Sequence, residues 1–182
     1  MKATGIVRRI DDLGRVVIPK EIRRTMRIRE GDPLEIFTKS DGEVIFKKYS
    51  PMGELTLFSS QLCDTIFKTT GIPAVVCDRD IITAAAGSAK RELLEKKVSL
   101  TLEKIMESRR SYRVEAGEEL CPVTTEGSDF RISAAVPITA GGDVSGCVLF
   151  VSKEGENFSY CTETESKIAG TVASFLSKQI EG

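Results

Sequence analysis

The sequence predicts an α+β protein in two parts: a small basic unit of β-β-α-β-β order that pairs with a second copy, then an α/β domain with its own core. Three observations predict it. Charge divides along the chain: residues 1–53 carry twelve Lys and Arg against eight Asp and Glu, a balance of +4, while the remainder carries 14 against 19, a balance of −5. Turn signals, Asp-Gly and Gly-Gly, fall between short β-branched runs in both parts, as hairpins require. Apolar residues recur at helical spacing over 55–70 and 162–180, which frames the second part with helices.

The elements follow in order. "TGIVRRI" (4–10) and "RVVI" (15–18) read as strands joined by the turn "DDLG". Pro19 sits where the first helical turn tolerates proline, and "PKEIRRTM" continues as a short helix until "REGD" breaks it. "LEIFT" and "EVIFKKY" form a second hairpin across "KSDG". "YSPMGE" (49–54) reads as a hinge. Beyond it, Phe58, Leu62 and Ile66 place a helix over 55–70 that Gly71 ends. "IPAVVCD" and "IITAAAG" read as buried strands around an Asp-Arg-Asp turn, followed by helices near 88–97 and 100–110. "FRISAAVPI" and "VSGCVLFVSK" form a hairpin across "TAGGD". A threonine cap, early acids and apolar Ile168, Val172, Phe175, Leu176 and Ile180 make the final helix. The boundaries expected are 1–51 for the front unit, 52–55 for a linker and 56–182 for the rear domain.

The front strands do not alternate cleanly. Ile6 and Ile10 share a parity with Arg8, and Val7 with Arg9, so both faces are partly apolar. A unit of about fifty residues cannot cover two such faces alone, and chains of that size commonly need metals, disulfides or oligomerisation. No metal or disulfide spacing is present, which leaves an obligate dimer with interleaved hairpins.

Composition removes several chemistries. The chain has no histidine, so Ser-His-Asp and Cys-His nucleophilic sites are excluded, together with most catalytic zinc sites. Five cysteines occur without a C-x-x-C pair, a pattern of reduced thiols. Cys77 and Cys147 lie inside apolar strands and read as core residues, leaving Cys63, Cys121 and Cys161 as candidate redox thiols. No metal site, catalytic residue or cofactor is expected. No apolar run is long enough to span a membrane, and "MKATGIVRR" carries no apolar leader core. A cytoplasmic location is the expectation.

The candidate site is the front helix. Lys20, Arg23, Arg24 and Arg27 recur at i, i+3, i+4 and i+7, placing them on one face, while Ile22 and Met26 face the sheet. Arg8, Arg9 and Arg15 lie at the first hairpin. Arginine reaches phosphates and guanine edges bidentately, whereas most charge runs are merely solvated. Spacing alone leaves both readings open.

The segment "TGIVRRIDDLGRVVIPKEIRRTMRIREGDPLEIF", followed by "DGEVIFKKYSP", resembles the swapped-hairpin DNA-binding domain of AbrB-type transition-state regulators. The resemblance implies an intertwined dimeric β-barrel that binds double-stranded DNA through Arg8, Arg15, Arg23 and Arg24, with Arg9 and Lys2 as weaker contacts. Many relatives have glycine where Arg27 stands, at a helix end that favours a left-handed residue. An arginine held there would cost about 1 kcal/mol.

The order of elements in the rear domain, with "CDRDIITAAAG" and "VPITAGGDVSGCVLFVSK", resembles a GAF-type sensory domain. Together the two resemblances imply a repressor or activator of sporulation genes. They also imply a tetramer in which rear domains join two DNA-binding dimers through the helices at 55–70 and 162–180. A small-molecule ligand of unknown identity is possible for GAF domains, although "TAGGDVSG" is better explained as a hairpin turn than as a phosphate cradle. Two alternatives remain: an antitoxin-like protein-interaction module, since swapped hairpins also serve that role, and a cysteine enzyme acting on methionine sulfoxide, as in some GAF proteins.

Overall fold

A computed structural model describes residues 5–155 and 158–182. The chain divides into two compact units, one ending at Tyr49 and one beginning at Ser50.

In the first unit, Pro19 opens α1 (Lys20–Thr25), its fixed φ suiting a helix start. The helix ends in a Schellman motif: Arg27 N donates to Arg24 O at 3.3 Å and Ile28 N to Arg23 O at 2.8 Å. That motif needs a left-handed residue, and Arg27 supplies it at φ 51°. Strand β1 (Leu34–Thr38) pairs antiparallel with β2 (Val44–Lys48), setting Ile36 opposite Phe46. Gly42, at φ 85°, turns the hairpin.

Residues 5–18 differ from expectation. The turn forms as foreseen, with Asp11 N donating to Arg15 O at 3.0 Å and Gly14 at φ 76°. Its arms form no strands. The β-branched runs remain outward, with Val7 and Val17 being 85% and 70% exposed. β-propensity expresses a fit to neighbouring strands and side chains rather than an intrinsic backbone preference, and within one chain these arms meet no ladder.

The second unit is a five-stranded antiparallel sheet between two pairs of helices. Its elements are α2 (Pro51–Glu54), α3 (Thr56–Thr70), β3 (Ala74–Asp78), β4 (Ile82–Ala85), α4 (Ala89–Leu93), α5 (Leu100–Ser108), β5 (Tyr112–Arg113), β6 (Phe130–Ala140), β7 (Asp143–Lys153) and α6 (Glu163–Glu181). The sheet runs β4-β3-β7-β6-β5. One face packs under α4 and α5 around Leu93, Leu102, Phe130 and Leu149. The other packs under α3 and α6 around Cys63, Ile66, Phe150 and Leu176.

Residues 52–55, expected as a linker, lie in the helical turn α2 and its C-cap, with Met52 fully buried in this second core. Ser50 Oγ donates to Asp78 Oδ2 at 3.2 Å. Met52 fits because Gly146 lies beneath it. A Cβ at Gly146 would stand 3.2 Å from Met52 Cγ and 2.1 Å from the Cys77 carbonyl oxygen. The capping box at α6 forms as read from sequence: Thr162 Oγ1 accepts from Glu165 N, and Thr162 N donates to Glu165 Oε2. Strand β5 was not foreseen, since two residues carry too little periodicity to detect. Among the described residues, no helix is long and apolar enough to cross a membrane.

Candidate nucleic-acid interface

The first unit places its arginines in two groups. At the turn, Asp11 acts as a hub: Oδ1 accepts from Leu13 N at 3.1 Å and Arg15 N at 2.7 Å, and Oδ2 pairs with Arg15 Nε at 2.8 Å. These bonds hold the Asp11 carboxyl below its ordinary pKa, the Arg15 amide having the largest effect. Arg15 is thereby oriented while its side chain stays 68% exposed. Arg8 and Arg9 are exposed on the preceding arm. Lys2 lies outside the described residues.

On α1, Lys20 and Arg24 are exposed and share a face at i and i+4. Arg23 is half-buried, and its Nε is shielded from solvent without a hydrogen-bond partner among the described residues. The expected four-residue basic face is therefore corrected at one end. Arg27 lies beyond the helix, because the left-handed turn rotates it off the i+7 position. Met26 is also displaced from its expected anchoring role, being 59% exposed at the helix C-cap.

One arrangement was missed from sequence. Asp32 Oδ2 accepts from Arg29 N at 2.8 Å and lies 3.5 Å from Lys48 Nζ. Lys48 Nζ in turn donates to the Arg27 carbonyl at 3.0 Å. The Asp32 side chain is 3% exposed. A buried carboxylate thus fixes the end of α1 to β2 and orients the helix that carries Arg23 and Arg24. The visible signal was the "EGD" break, which read only as a helix stop.

Four of the second unit's five thiols are held protonated by burial. Burial pushes the Cys63 thiol up to about 12 and Cys161 to about 11, and also raises Cys77 and Cys147. Cys77 and Cys147 oppose each other across β3 and β7 in the interior of the sheet. Cys121 is half-buried, 3.4 Å from the Tyr112 hydroxyl.

Comparison with known proteins adds the family. The family model described as "Stage V sporulation protein T C-terminal, transcription factor" matches residues 54–181. A second, described as "Antidote-toxin recognition MazE, bacterial antitoxin", matches residues 7–53. Stage V sporulation protein T of Bacillus subtilis (strain 168) is 48% identical over 181 residues, covering 100% of this chain and 99% of that protein. Transition state regulatory protein AbrB of the same organism is 61% identical over 51 residues, 28% of this chain and 52% of that protein. In the second unit, the GAF domain of a phosphoenolpyruvate-protein phosphotransferase from Coxiella burnetii is similar in fold, with a TM-score of 0.50 at 15% identity over 69% of this chain and 82% of that one. The swapped-hairpin and GAF resemblances thus stand together in one architecture, and the chain belongs to the Stage V sporulation protein T family of transcription factors.

Proposed function

We propose that this chain binds double-stranded DNA through Arg8, Arg15, Arg23 and Arg24 and regulates sporulation genes, with the second unit tuning that binding. The observation that carries the reading is the arginine-bearing α1, clamped by Asp32 and Lys48, in a chain of a transcription-factor family. Phosphate contacts supply affinity and orient the helix, while arginine at base edges adds sequence preference. The buried, protonated thiols and the lack of histidine support a non-enzymatic role.

The binding unit is a dimer of the first unit. Val7, Ile10, Val17, Ile36 and Val44 are each more than half exposed, an apolar surface that a second copy's hairpin would cover and convert into a closed barrel. Two such dimers join through α3 and α6, where Leu57 is 74% exposed and Phe175, its ring 5.4 Å from that of Phe58 and tilted 36° to it, is 42% exposed.

The test is DNA affinity of Arg23→Ala and Arg24→Ala in the intact chain, with circular dichroism confirming the fold. Each is expected to weaken binding by about tenfold or more, since such contacts contribute about 1–3 kcal/mol. Wild-type affinity in both folded variants would refute the assignment.

A further inference from the structure

The face of the second unit's sheet under α4 and α5 is filled by large side chains, among them Leu93, Leu102 and Phe130 at no more than 1% exposure. Space lies elsewhere. A groove of about 660 Å³ runs along the flank of α6 beside the short edge strand β5, floored by Val136. That volume falls within the usual range for small-molecule sites, about 300–1,000 Å³.

Its chemistry is specific. Arg113 projects from β5 at one wall and is in no ion pair among the described residues. The neighbouring thiol of Cys161 is held protonated by burial and by the Glu165 carboxylate beside it, and Glu165 is itself engaged by the Thr162 amide. Ser111, Ser166 and Ser174 also line the groove, and no hydroxyl of the three has a hydrogen-bond partner among the described residues. The one charged pair in the lining, Lys167 with Glu163 at 2.7 Å, neutralises itself, so the lining side chains carry one net positive charge, on Arg113. Gly170 stands at its middle, inside a 19-residue helix. A Cβ there would meet nothing within 4 Å, although glycine inside a helix costs about 1 kcal/mol relative to alanine. The chain's own packing gives no reason for that glycine; room in the groove does.

We infer that this groove binds a small molecule bearing a carboxylate or phosphate, with Arg113 taking the oxyanion in its planar fork and the serine hydroxyls the remaining oxygens. The site deepens the regulatory reading of the second unit, but it is tested without DNA, so failure of one is distinguishable from failure of the other.

The experiment follows thermal unfolding of the intact chain in pyrophosphate and, separately, in citrate, each against sodium chloride of equal ionic strength. A ligand that binds only the folded chain raises the midpoint. One anion is expected to do so more strongly, which distinguishes phosphoryl from carboxylate chemistry. The shift is expected to be lost in Arg113→Gln and in Gly170→Leu. The leucine fills the groove and improves helix propensity, so its unliganded midpoint equals or exceeds wild type and separates a lost site from a lost fold. No shift with either anion, or an equal shift in wild type and both variants, overturns the site. So does a Gly170→Leu chain that sediments as a smaller species than wild type, because a second copy would then occupy the groove.

Discussion

Arg27 sits at φ 51° in a position where a Schellman turn favours glycine. Arg27→Gly relieves the clash of Cβ with the following carbonyl but adds freedom to the unfolded chain. The net expectation is a gain of up to about 1 kcal/mol, measured by denaturant midpoint, with the Lys48 bond to the Arg27 carbonyl retained. The strain was foreseen through the family resemblance, because many relatives carry glycine where Arg27 stands. The displacement of Arg27 from the basic face was not. Helical spacing is a valid ruler only while the helix continues, and this one stops at Thr25. The half-burial of Arg23 was equally invisible, since charge and spacing say nothing of which arginine the fold shields.

The thiols give a second prediction at this scale. Alkylation of the native chain at pH 8 is expected to reach Cys121 first, with the other four thiols reacting only on denaturation. Raised folded pKa values also set a pH dependence. Cys63 goes from an ordinary 9.0 to about 12 on folding, so its contribution is fully present below pH 9 and is lost as pH rises towards 12. Stability is expected to fall over that window, and Cys63→Ala should lessen the slope.

At the scale of elements, the close approach of β3, β7 and α2 rests on Gly146. Gly146→Ala drives a Cβ to 2.1 Å from the Cys77 carbonyl, where backbone must move, and loses about 3 kcal/mol or more by thermal or denaturant unfolding. Asp32→Ala removes the buried carboxylate beside Lys48 and releases the end of α1. A loss of about 3 kcal/mol in the first unit is expected, together with weaker DNA binding, although no DNA contact is removed. The longer elements of the second unit were legible because their signals were redundant: Gly71 ends α3 at φ 74°, and Gly141–Gly142 turn β6 into β7. Two features were not. Strand β5 is too short to show a period, and the burial of Met52 depends on a gap left by a residue ninety-four positions away.

For the whole molecule, the split of charge between a +4 front and a −5 rear remains the clearest sequence signal, and it marks one unit for a polyanion. The same segment explains where sequence and structure part. The runs at 4–10 and 15–18 read as strands, yet the described residues 5–18 form none within one chain; under the proposed dimer their partners come from the second copy. DNA binding by such an assembly should depend steeply on salt. Eight arginines from two copies, at one phosphate each, place the response among proteins that lose about 10³-fold or more in affinity between 50 and 200 mM salt.

The most direct measurement is fluorescence anisotropy of a labelled AT-rich duplex titrated with the intact chain across that salt range, since the protein has no tryptophan to report binding itself. Tight binding at low salt that falls log-linearly with salt, with the slope reduced in Arg24→Ala, is the result expected of an arginine surface made for DNA. Unchanged anisotropy at low salt would contradict it, and would leave the basic helix as solvated surface.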